Sequence, residues 1–146
     1  MPRLLAITAA TAALFALPFT ATAVQAETVP VKAQLAGNSE VPPVQTQAKG
    51  NLTGNYDTAS KKLTYKLDYS GIKDATAAHF HGPAEPGANA GVAVPIGAKG
   101  EPLKSPDEGS ATLTDAQAAD LLAGKWYVNV HSKDHPNGEI RGQVTK

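Results

Sequence analysis

Between Val31 and Val144 the chain is written in short runs of alternating apolar and polar side chains, broken by Gly and Pro. Side chains along a strand point to opposite faces in turn, so this pattern predicts half-buried β-strands. VKAQLAG sets Val31, Ala33 and Leu35 against polar neighbours. GNLTGNYDTASKKLTYKLDYSGI reads as a hairpin with its turn at DTASKK, placing Leu63, Tyr65, Leu67 and Tyr69 on one face. ATAAHFHG is a strand with Ala78 and Phe80 on one side and His79 and His81 on the other. GVAVPIG is a short apolar strand that Pro95 is expected to stop. KWYVNVHS puts Trp126, Val128 and Val130 on one face and Tyr127, Asn129 and His131 on the other. HPNG is a turn, and EIRGQVTK returns antiparallel to the preceding strand. EVPPVQTQAKG, with two prolines, is an edge segment or loop, and residues 97–110 are mostly loop with room for one short strand.

One segment departs from period two. In LTDAQAADLLAG, Thr114 followed by Gln117 is a capping box, the alanines favour helix, and Gly124 supplies a stop. A single short α-helix at about 115–123 is predicted. The fold class is therefore all-β: an antiparallel immunoglobulin-like or Greek-key β-sandwich or barrel with one short helix.

The opening of the chain belongs to a different pattern. Arg3 precedes an apolar run from Leu4 to Phe19, followed by small residues at Val24 and Ala26. This is the pattern of a secretory signal peptide, residues 1–26, cut after Ala26. The alternative, an uncleaved anchor, needs roughly 20 apolar residues. The mature domain, residues 27–146, would be secreted or periplasmic, with no stable membrane insertion. Loss of Arg3 leaves 12 basic against 13 acidic residues. With no basic patch, nucleic acid is excluded as an expected partner. The chain has no Cys, which removes disulfides, thiolate nucleophiles and thiolate metal sites.

The chemistry worth weighing lies in the four histidines, which fall in two short segments. Residues i and i+2 of a strand share a face at about 6.6–7 Å. His79 and His81 have that spacing, and their imidazoles can converge on an ion held at about 2.0–2.1 Å. His131, on the face opposite Trp126, is the candidate third ligand, and His135 in the following turn is a candidate fourth. Shared coordination requires ring nitrogens within about 4 Å of one another. Asp134 and Glu139 are reserve oxygen ligands. Asn129, Glu139 and Arg141 are candidates for orienting the ligands from behind, and Arg141 is equally suited to an ion pair with Glu139 or Asp134. An all-nitrogen site in an exported protein suits copper before zinc. The competing reading is an extracellular or periplasmic protein-interaction module with structural histidines and no metal. A protonation switch near pH 6.5 needs no metal either. No catalytic residue is assigned: Ser132 beside His131 is only a sequence neighbour, no G-x-S-x-G is present, and GPAEPGANAG precedes a strand rather than a helix. No enzymatic activity is expected.

LAGNSEVPPVQTQAKGNLTG, AAHFHGPAEPGANAGVAV and LTDAQAADLLAGKWYVNVHSKDHPNGEIRGQV together resemble the chordin-type (CHRD) domain family, over about Val31 to Val144. The resemblance implies an exported all-β domain, found in bacterial exported proteins and as repeats in chordin, an extracellular growth-factor antagonist. It implies no general biochemical activity. HFHG is also similar to the H-x-H strand of copper–zinc superoxide dismutase. This chain lacks that family's cysteines and its zinc loop, so only the strand geometry transfers.

Overall fold

The computed structural model describes residues 26–99 and 101–146. The predicted signal peptide thus lies outside the described residues, except for Ala26. Among the described residues no helix is long and apolar enough to cross a membrane.

Eight strands form one antiparallel sheet. They are β1 (Thr28–Ala36), β2 (Lys49–Asp57), β3 (Lys62–Ser70), β4 (Ala75–His81), β5 (Val92–Ile96), β6 (Asp107–Thr112), β7 (Tyr127–Ser132) and β8 (Ile140–Gln143). Their order is β5-β4-β7-β8-β1-β2-β3-β6. The two edge strands approach each other, so the sheet curls into a nearly closed barrel. The β2–β3 hairpin pairs in continuous register from Lys49↔Ser70 to Asp57↔Lys62. Helix α1 (Asp115–Leu122) lies between β6 and β7 in sequence. Its capping box forms as the sequence predicts: Gln117 N donates to Thr114 Oγ1, and Thr114 N donates to Gln117 Oε1. The Gln117 amide also donates to Ala93 O, tying the helix to edge strand β5.

The alternation seen in the sequence fills the barrel. Leu35, Leu52, Leu63, Leu67, Phe80, Trp126, Val128, Val130, Ile140 and Val144 are all buried inside it. Phe80 sits between Tyr65, edge-on at 5.3 Å, and Trp126 at 5.8 Å. Truncating one of these large side chains leaves a cavity that the curved sheet cannot collapse to fill.

Two features depart from expectation. Strand β5 runs through Pro95 to Ile96 instead of stopping there. It is an edge strand, where a missing N–H costs no ladder bond. More important for the site, β7 is buried on both faces, and only His131 is less than fully covered. A solvent-facing outer side would have left Tyr127, Asn129 and Arg141 wet. Two loops, 37–48 and 82–91, instead lie over the outer face of β4, β7 and β8. Arg141 donates to Asn89 Oδ1 and Ala88 O, and Gln143 donates to Ala84 O. Asn89 donates to Val41 O, and Thr46 Oγ1 to Glu139 Oε1.

Candidate metal centre

Strand register places the polar residues. His79 pairs with Asn129, His81 with Tyr127, and Ala77 with His131. Asn129 in turn pairs with Arg141 on β8. Because Phe80 and Val128 pair inside the barrel, their neighbours all project outward. The outer face of three adjacent strands thus carries His79, His81, Tyr127, Asn129, His131 and Arg141 side by side.

His79, His81 and His131 each offer a ring nitrogen, and these atoms lie within 4.8 Å of one another. His79 Nδ1 and His131 Nε2 are 3.1 Å apart, inside the separation that shared coordination requires. The ligand nitrogen of the third ring, His81, lies within 4.8 Å of the other two. Two rings are already oriented from behind. His131 Nδ1 donates to Pro136 O and His81 Nδ1 to Ala90 O, both at 3.0 Å. For His131 the donation leaves the Nε2 lone pair available for a metal, the usual division of labour for a ligating imidazole. His81 Nε2 also faces Asn129 Oδ1 at 3.0 Å.

The His81 ring stacks on Tyr127, with centroids 4.7 Å apart and planes parallel within 1°. From the neighbouring strand β8, the Arg141 guanidinium lies 3.4 Å from the centre of the same phenol ring. The Tyr127 hydroxyl bonds the Ala90 backbone, receiving its N–H and donating to its O. Ala90 O is also the acceptor for His81, so Tyr127 fixes the imidazole both by its ring and through the loop.

Electrostatics favour the neutral form of His79 and His131. Burial pushes His79 down to about 4, and the neighbouring His131 and His81 rings, as potential cations, push it further in the same direction. His131 is lowered as well, first by burial; its bond to Pro136 O works against this, and His81 adds to the lowering. Neutral imidazole is the metal-binding form.

His135, the candidate fourth ligand, is not part of this group. It sits in the β7–β8 turn, where its backbone carbonyl accepts from Ser132 and Gly138. With Asp134 it lines a separate cleft alongside Glu40, Val41 and Pro42. Glu139, the reserve ligand, accepts from Thr46 instead. Arg141 makes neither of the expected ion pairs. Among the described residues the pairs are Lys61–Asp115, Lys66–Glu108 and Lys133–Asp74. The reason is geometric: on the outer face Arg141 is roofed by the 82–91 loop, and its nearest acceptors are the loop's carbonyl and amide oxygens.

Sequence reasoning passed over four participants. Tyr127 was visible on the histidine face, but nothing in an alternating strand announces a stack. Ala90 and Pro136 act through backbone carbonyls, which carry no sequence signal. Glu40, from the E-V-P-P segment of the 37–48 loop, is 5 % exposed. Burial raises its carboxyl, while the Arg141 charge, the Val41 N–H and the Asn129 amide lower it.

Fold and site together define an exposed-rim histidine cluster on the outer wall of a small antiparallel β-barrel. The profile of the CHRD domain matches residues 31–144, nearly the whole described chain, and the protein belongs to the CHRD domain family. No curated protein and no solved structure matches the chain.

Proposed function

We propose that this CHRD domain binds a transition metal, copper before zinc, through His79, His81 and His131, and serves in metal binding or delivery outside the cytoplasm. One observation carries the reading: three imidazoles from two strands meet on the outer wall, two of them with nitrogens 3.1 Å apart. Three imidazole nitrogens without thiolate suit copper first, because imidazole ligands follow the general preference for copper over zinc. His79 and His131 remain partly open to solvent, which leaves an approach for the ion and for a partner that gives or takes it. No turnover is part of the proposal. Export rests on the leader-like residues 1–26, and the predicted mass of the mature protein, beginning at Glu27, tests it.

Equilibrium dialysis of the mature domain against Cu(II) and Zn(II), followed by elemental analysis, tests the metal reading. One copper per chain is expected, with uptake lost in the His79→Ala/His131→Ala double variant. No stoichiometric metal in the folded wild type, or equal uptake by the double variant, would leave the interaction-module reading in its place.

A further inference from the structure

Resting on the metal reading above, we infer that Asn129 supplies a fourth, oxygen ligand to the ion and that the buried Glu40 carboxylate holds its amide in the ligating orientation. Asn129 is 3 % exposed and stands directly opposite His79 in the register, between Tyr127 and His131 on β7. Its Oδ1 is 3.0 Å from His81 Nε2. Two donors that far apart, each about 2.1 Å from one ion, subtend roughly 90° at it. The 3.1 Å pair, His79 Nδ1 and His131 Nε2, gives nearly the same angle. These are the angles between neighbouring ligands of a tetragonal Cu(II) site with nitrogen and oxygen donors, and they are narrower than a tetrahedron's.

An amide can present oxygen or nitrogen, and only oxygen ligates. Glu40 decides which. Its carboxylate is buried beside the Asn129 amide, and Oε1 has no hydrogen-bond partner. The two side chains share the space over Gly138. A Cβ at Gly138 would come 2.3 Å from Glu40 Oε1 and 2.8 Å from Asn129 Nδ2. Glycine there lets the carboxylate and the amide nitrogen lie together, and its φ of +127° is one that other residues rarely adopt. A carboxylate beside the amide attracts its N–H group, which turns Oδ1 toward His81. Neither Glu40 nor Asn129 is explained by barrel packing, since Asn129 lies on the outer face and Glu40 on the 37–48 loop that covers it.

Copper(II) titration with electron paramagnetic resonance tests this, using wild type, Asn129→Ala, Asn129→Asp and Glu40→Gln, with circular dichroism to check folding. Asn129→Ala is expected to bind Cu(II) at least ten-fold more weakly, with changed copper hyperfine splitting. Asn129→Asp keeps an oxygen donor in nearly the same shape and is expected to bind at least as tightly as wild type. Glu40→Gln frees the amide and is expected to weaken binding about ten-fold, the scale seen for residues orienting metal ligands. Wild-type affinity and spectrum in Asn129→Ala, or loss of binding in folded Asn129→Asp, overturns the ligand assignment while leaving a three-histidine site standing. Wild-type behaviour of Glu40→Gln overturns the orienting role. No copper uptake by wild type overturns this inference together with the reading it rests on.

Discussion

Acid should loosen metal from this cluster far less than from three ordinary imidazoles, because His79 is held at about 4 against an ordinary value of 6.5. A proton and a metal ion compete for the same lone pair. Between pH 7.5 and 6, three rings titrating at 6.5 would together weaken apparent binding about 50-fold. With His79 out of the competition and His131 lowered as well, the loss should be far smaller. The assay has two arms. In the metal-free protein, the ring Cε1–H resonance of His79 is followed by NMR from pH 8 to 3.5, and it should stay put until the pH nears 4. In parallel, copper affinity is measured against a chelator of known pH dependence at pH 7.5 and 6. A His79 midpoint near 6.5, or a loss of about 50-fold or more between pH 7.5 and 6, refutes the account of the site as a desolvated, mutually repelling cluster.

The same shift has a stability consequence of definite sign. The unfolded chain takes a proton on His79 as pH drops below about 6.5, and the folded chain does not until about 4. Stability of the metal-free domain therefore falls as pH moves down through that window, levels off below it, and is unaffected by this ring above it. The full linkage is about 3 kcal/mol. Solvent reaching a half-buried ring reduces the working figure to about 1–2 kcal/mol. Urea unfolding at pH 7 and pH 4.5 reads the difference, and His79→Ala should flatten it.

Other substitutions probe the scaffold. Arg141→Met keeps bulk but removes two loop hydrogen bonds and the cation over Tyr127, and should cost about 2–4 kcal/mol in urea unfolding while loosening the 82–91 loop to proteolysis. Leu52→Ala, fully buried in the barrel, should cost about 2–5 kcal/mol with metal affinity unchanged. Thr114→Ala removes the helix cap and should cost about 1 kcal/mol, read as a lowered thermal midpoint.

The period-two pattern made the barrel legible because seven of its eight strands bury alternate residues against one core. The sixth, DEGSAT in β6, offers only Ala111 to the core and pairs with β3 at the sheet edge, so it read only as room for a short strand. The helix was legible from Thr114 and Gln117 alone, since capping is a local interaction. His79, His81 and His131 were legible for the same reason as the core: strand alternation sets the face, and cross-strand pairing of β4 with β7 brings the faces together. His135 was included on sequence proximity, but the turn that carries it bends toward Glu40 and Val41 and away from the sheet. The expected ion pairs of Arg141 failed because charge alone does not say which face of a strand is roofed. Alternation predicts a wet outer side, whereas loops 37–48 and 82–91 come from distant sequence to dry it.

That dry outer layer also answers how a domain without a single Cys holds its long loops. Asn89, Arg141, Gln143 and the Thr46–Glu139 pair clip both loops to β7 and β8 through hydrogen bonds, the role disulfides take in many small exported domains. The clips converge behind the histidines: Arg141 holds Tyr127, Tyr127 holds Ala90, and Ala90 holds His81. On the proposed reading, metal acts on the same structure from the front. An ion bound only by the folded state stabilises it by mass action, about 2.7 kcal/mol at a free concentration 100 times Kd. The increment should appear as a higher thermal midpoint with copper, absent in His79→Ala/His131→Ala. It should be smaller in Arg141→Met, whose His81 has lost its backing. Equal copper stabilisation of wild type and Arg141→Met would show that the stack beneath His81 plays no part in holding it for the ion.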